Sequence, residues 1–111
     1  MIVGLVGDEA DTAAVSERLA GHGFHELQNE HEIRLFGNDN LVFSNVRHEH
    51  KALFLREAGA LIIHVVREGD ESGDHGVAIH PGDAVVGANG SFEGLFDRVR
   101  VAIDKRFGKA A

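Results

Sequence analysis

The sequence predicts an α/β fold, a three-layer sandwich built on a mainly parallel sheet of about four to five strands with about three helices. Three observations carry this. Short apolar runs rich in β-branched residues recur along the chain, continuous and not alternating, as in strands buried on both faces. Stretches of helical periodicity lie between them. Glycine-containing turns punctuate the joins.

Residues 2 to 6, Ile-Val-Gly-Leu-Val, form the first run, which ends in a turn at Gly7-Asp8. Asp11 or Thr12 is placed to cap the following helix; Ala14, Val15, Leu19 and Ala20 form its expected buried stripe, and Gly21 and Gly23 its stop. Phe24 to Leu27 reads as a short second strand. Residues 28 to 40 are polar and turn-rich, with Glu32 to Phe36 as a brief strand before the turn that starts at Gly37. Leu41-Val42-Phe43 is another buried strand. A helix over about His48 to Ala58 takes Ala52, Leu53 and Leu55 to Ala58 as its apolar positions, with Gly59 as its stop. Ala60 to Val66 is the strongest strand pattern. An acidic, glycine-rich loop from Glu68 to Gly82 precedes a last strand at Asp83 to Val86. Ser91 then caps a helix in which Phe92, Leu95, Phe96, Val99, Ile103 and Phe107 fall on one face.

At 111 residues the chain fits one domain, residues 1–111, and 43% hydrophobic residues suffice for one core. No apolar run approaches the roughly 20 residues that span a bilayer. No basic-then-apolar leader opens the chain, so a cytoplasmic protein without a membrane partner is expected. Cysteine is absent, which excludes disulfides and thiolate metal sites and fits a reducing compartment. The formal net charge of −7 opposes direct binding to a nucleic-acid backbone, which works by releasing phosphate counterions. An acidic surface serves solubility, or engages a basic partner such as a nucleic-acid-binding protein. Asp70, Glu71, Asp74 and His75 form an acidic loop tip, a candidate partner-docking loop. Eight histidines are many for this length, but His22-x-x-His25, His48-x-His50 and His75 with His80 lack a distinctive metal spacing, so no metal site is expected. His64, inside a buried strand, reads as a hydrogen-bonded interior residue and not as a catalytic base.

The second half carries a family resemblance. Asn45-Val46-Arg47, Ala58-Gly59-Ala60, Val66-Arg67, Gly73-Asp74-His75, Asp83-Ala84-Val85-Val86 and Ala88-Asn89-Gly90-Ser91 follow one another at sensible spacings. In this order they resemble the deoxynucleoside monophosphate kinases of bacteriophages and some bacteria, and the opening Met1 to Gly7 is similar to that family's first strand and turn. The resemblance implies a P-loop-kinase-like fold, here reduced and without the arm that grips the acceptor nucleotide. It makes Gly7, Asp11, Thr12, Asn45, Arg47 and Arg67 the candidate residual ligand-binding residues.

The departures point away from the family chemistry. A phosphate-binding loop needs G-x-x-x-x-G-K-[ST]. Started at Gly7, that pattern finds Thr12, Ala13 and Ala14 where glycine, lysine and a hydroxyl belong; started at Gly4, it finds Glu9, Ala10 and Asp11. Asp8, Glu9 and Asp11 already place negative charge at the helix start. At about 4 Å and an effective dielectric of about 20, each repels a phosphate by roughly 4 kcal/mol before salt screening. The family's Asp-Val-Arg is Asn45-Val46-Arg47, one carboxylate fewer. The expectation is a degenerate, truncated and non-catalytic relative without cofactor, regulatory or inhibitory toward a protein partner such as a host protein, in the host cytoplasm if phage-encoded. The alternative is a nucleotide-binding module or residual kinase, using ATP or another nucleotide with Mg²⁺. An exposed sheet edge would favour a homodimer.

Overall fold

Neither face of Ile2–Val6, strand β1, carries a polar side chain, and β1 accordingly occupies the centre of a five-stranded sheet. The computed structural model describes residues 1–36, 39–67 and 76–108. The elements run β1, helix α1 (Glu9–Ala20), β2 (His25–Glu26), a 3-10 helix (Glu30–Leu35), β3 (Leu41–Phe43), α2 (Glu49–Glu57), β4 (Leu61–Val66), β5 (Ala84–Gly87) and α3 (Phe92–Phe107). The sheet order is β2-β3-β1-β4-β5 and every pairing is parallel. The fold is thus the expected α/β sandwich, consistent with a reduced P-loop-kinase-like architecture.

Alternation along β1 and β4 divides the core in two. Val3, Leu5, Leu61, Ile63 and Val65 face one side, where Val15 and Leu19 of α1 and Leu95, Phe96, Val99 and Ile103 of α3 cover them. Val6 and Ile62 face the other, under Ala52 and Leu55 of α2, with Ile33 and Phe36 packed alongside. Each fully buried aliphatic contributes roughly 1.5–3 kcal/mol relative to exposure. Gly4 is part of this packing: a Cβ there would lie 2.8 Å from Ile62 Cδ1 and 3.3 Å from Leu55 Cδ1, so its missing side chain lets α2 close onto the sheet.

Several local expectations are corrected. Asp8, not Asp11 or Thr12, caps α1, its carboxylate accepting from the Ala10 N–H at 2.9 Å. The buried stripe of α1 is Asp11, Thr12, Val15, Ser16 and Leu19, while Ala14 and Ala20 stay half-buried. Polar residues are tolerated there because each is bonded: Ser16 Oγ donates to Glu26 Oε1 at 2.6 Å and Thr12 Oγ1 to the Glu9 carbonyl at 3.3 Å. Glu32 to Phe36 is not a strand. Asn29 accepts from the His31 N–H at 2.9 Å and starts a 3-10 turn that brings Ile33 and Phe36 onto the core. In α2 the buried positions are Ala52 and Leu55, one turn apart, and Leu53 is 54% exposed. The acidic loop tip at Asp70, Glu71, Asp74 and His75 lies outside the described residues.

Ser91 caps α3 as expected, accepting from the Gly94 N–H at 3.1 Å. Ser91→Ala is expected to cost about 1 kcal/mol, read as a lower urea midpoint with unchanged slope. An unchanged midpoint would show that the N-terminal turn of α3 does not depend on that hydroxyl.

Candidate functional site

In an open α/β sheet the ligand crevice lies beyond the carboxyl ends of the strands, where neighbouring strands send their helices to opposite faces. That point falls between β1 and β3: α1 leaves β1 for one face and α2 leaves β3 for the other. The turn Gly7-Asp8 and the start of α1 form one wall, and Asn45 to Arg47 form the other. Arg67 follows the end of β4 next door.

Within this crevice the six candidate residues have different fates. Asp11 and Arg67 meet. Arg67 Nε donates to Asp11 Oδ2 at 2.7 Å, and its Nη2 donates to the other carboxylate oxygen, a bidentate fork. The Asp11 side chain is 10% exposed and that of Arg67 52%. Thr12 is buried, its hydroxyl turned back into the helix. Gly7 is held by packing: at φ 154°, a Cβ would lie 2.6 Å from the Val65 carbonyl oxygen. A helix N-terminus attracts anions through its free N–H groups and dipole. At α1 the chain's own acids take that role, Asp8 on the Ala10 N–H, and Glu9 and Asp11 in the first turn.

Asn45 belongs to a second cluster. Its Nδ2 donates to Gln28 Oε1 at 2.9 Å, and its Oδ1 accepts from Lys51 Nζ at 2.9 Å. Lys51 also donates to the Gln28 carbonyl at 2.7 Å, lies 3.7 Å from Glu30 Oε2, and sits 5.6 Å from the centre of the Phe43 ring. Burial pulls the Lys51 pKa below 10.5, against the raising effect of Glu30. Lys51 gave no signal in the sequence, because one lysine in an amphipathic helix reads as solvated. The half-buried Arg47 has no ion pair or side-chain hydrogen bond among the described residues. Its carbonyl abuts Gly76, where a Cβ would lie 2.2 Å away.

A third polar cluster ties α2 to β4 and to the segment entering β5. His64 Nε2 lies 2.8 Å from Asp83 Oδ2, and Arg56 forks onto the same carboxylate at 3.1 and 2.7 Å. The His80 N–H donates to Asp83 at 3.0 Å, and Glu49 accepts from the Ala78 N–H. His64 is thus a hydrogen-bonded interior residue, 1% exposed. No group of three or more His, Asp or Glu among the described residues is arranged to hold a metal. No helix there is long and apolar enough to cross a membrane.

A family model for deoxynucleotide monophosphate kinase matches residues 24–99. The chain belongs to this family. The matched stretch begins after α1 and takes in Asn45, Arg47, Arg67 and the Ser91 cap. The deoxynucleotide monophosphate kinase of Enterobacteria phage T4 is 36% identical over 69 residues, which are 58% of this chain and 29% of that protein. The deoxynucleotide monophosphate kinase of Escherichia phage RB69 is 38% identical over 66 residues, 55% of this chain and 27% of its own length. The chain therefore spans less than a third of the curated relatives it matches.

Proposed function

We propose that this chain is a non-catalytic family member, a regulatory or inhibitory protein that binds a macromolecular partner. One observation carries the reading: the bidentate Asp11–Arg67 pair at the start of α1. Phosphoryl transfer depends on positive charge gathered around the transferred group. Here the arginine beside the phosphate-loop helix is neutralised by a carboxylate from that same helix. An incoming phosphate must displace Asp11 and then lie beside Asp8, Glu9 and Asp11 without the loop lysine. Losing a charge-assisted fork and gaining like-charge repulsion both oppose it.

The second reading, a nucleotide-binding module or residual kinase using Mg²⁺, is favoured by Arg47 and by the Gln28–Asn45–Lys51 cluster across the crevice. Thermal unfolding against ribo- and deoxynucleotides, with and without Mg²⁺, separates the two. A ligand at about 100 times its Kd adds about 2.7 kcal/mol and raises the melting temperature by several degrees. The expected result is no shift at millimolar ligand and no ATP consumption with any deoxynucleoside monophosphate. A saturable shift with one nucleotide class, or Mg²⁺-dependent ATP consumption, would overturn the non-catalytic reading.

A further inference from the structure

We propose that the free edge of β5 accepts an extended, acidic segment of a partner protein as an added strand, an inference resting on the reading of the chain as a partner-binding protein. The sheet ends at β5 among the described residues. Ala88 N–H donates to the Val66 carbonyl at 2.8 Å, so by the two-residue alternation of a strand the groups of Val86 and Ala84 turn toward β4. Those of Val85 and Gly87 turn outward. The Gly87 carbonyl accepts from Arg98 Nη1 at 2.9 Å, which agrees with that direction. Val85 therefore offers an outward N–H and C=O, the template that an added strand needs.

The space beside this edge has the shape for such a strand. A groove of about 830 Å³ runs between β5 and α3. Val85 is 50% exposed at the edge and Val101 of α3 is 52% exposed on the groove wall, which gives alternate side chains of the occupant apolar seats. The opposite edge strand, β2, has only two residues and offers little length to pair with.

Charge selects the occupant. The chain carries −7 overall, yet the groove is lined by Arg98, Lys105 and Arg106 against Asp97. The other carboxylate there, Asp83, is taken up by Arg56 and His64. A second copy paired two-fold through β5 would bring its own basic wall against this one. An acidic strand meets no such repulsion.

The test uses the full chain and a fluorescein-labelled peptide of alternating valine and glutamate, with a valine–lysine peptide as control, followed by fluorescence anisotropy. The acidic peptide is expected to bind saturably, weaken at high salt, and exceed the basic one by roughly tenfold or more. Val85→Pro removes the outward N–H and is expected to abolish binding, with circular dichroism confirming the fold. Lys105→Glu with Arg106→Glu, both on the helix surface, is expected to reverse the peptide preference without needing the strand variant to fold. Equal binding of both peptides, no binding of either, or dimers in sedimentation that Val85→Pro dissolves would overturn the proposal. Flat nucleotide titrations beside a failed peptide would sink this surface alone. Nucleotide-dependent stabilisation would instead sink the non-catalytic reading.

Discussion

Asp83→Ala is expected to destabilise the protein by about 3 kcal/mol, because it removes the buried carboxylate that His64 and the Arg56 fork share. The Asp83 side chain is 4% exposed, that of His64 1% and that of Arg56 17%. Little can replace the carboxylate: Arg56 keeps the Ala78 carbonyl at 3.3 Å and Glu49 at 3.9 Å, while His64 Nδ1 and Arg56 Nη1 lack a hydrogen-bond partner among the described residues. For a domain of this size that loss lowers the melting temperature by roughly 12 °C or more. Burial alone would raise the Asp83 pKa; hydrogen bonds from Arg56, the His80 N–H and His64 outweigh it and hold the carboxyl below its ordinary value of 3.8. The sign follows. A carboxyl with a depressed native pKa stabilises the fold fully above the unfolded value, and that contribution fades as pH falls through the native one. Wild-type stability should therefore drop below about pH 4, and this acid-dependent part should shrink in Asp83→Ala. Replacing all three groups together, with Asp83→Leu, His64→Leu and Arg56→Met, should recover most of the loss. Urea unfolding at neutral and acid pH reads both effects. A single variant as stable as wild type would show that water reaches His64 and Arg56 and that the cluster is not sealed.

How far the sequence could have foretold this differs between parts of the molecule. The strands at 2–6, 41–43 and 61–66 were legible because a parallel sheet covered on both faces demands continuous apolar runs. Helix α3 was legible from Ser91 and the apolar repeat through Phe107. The segment at Glu32 to Phe36 was not, because so short a mixed run fits a strand or a tight helix equally; the Asn29 cap decided it. Three acids stand at the start of α1, and which one caps it depends on where the Gly7 turn ends. That turn is set by β4, more than fifty residues later in the chain. Asp11 stands in the first turn of α1, but its partner Arg67 lies 56 residues away and no local pattern joins them. Separations of 27 and 23 residues likewise hid the Arg56–Asp83 fork and the Lys51–Gln28 contact.

Gly7→Ala is expected to cost about 2–4 kcal/mol with no nucleotide present, which separates a packing role for this glycine from a phosphate-binding one. Both roles predict glycine, for different reasons. In a phosphate loop the missing side chain lets backbone N–H groups approach the anion. Here the approaching group is the chain itself. An alanine Cβ would meet the Val65 carbonyl oxygen at 2.6 Å and Val65 Cβ at 3.1 Å, in a backbone conformation of φ 154° that side chains rarely adopt. Val65 cannot yield easily, because β4 is paired on both sides, to β1 through Val6↔His64 and to β5 through Val65↔Val86. Relief would have to come from breaking the end of the central β1–β4 ladder. Gly59→Ala is the control, with φ 89° and nothing within 4 Å of the added carbon; it carries conformational strain alone, about 1 kcal/mol. Urea unfolding of both variants, with and without nucleotide and Mg²⁺, measures the difference. A larger loss at Gly7 than at Gly59, the same in the presence of ligand, fits a turn kept for strand packing after the phosphate chemistry has gone. Equal stability of Gly7→Ala and wild type, together with a lost nucleotide response, would mean that the glycine still serves a ligand, and Asp11 would then have to leave Arg67 when that ligand binds.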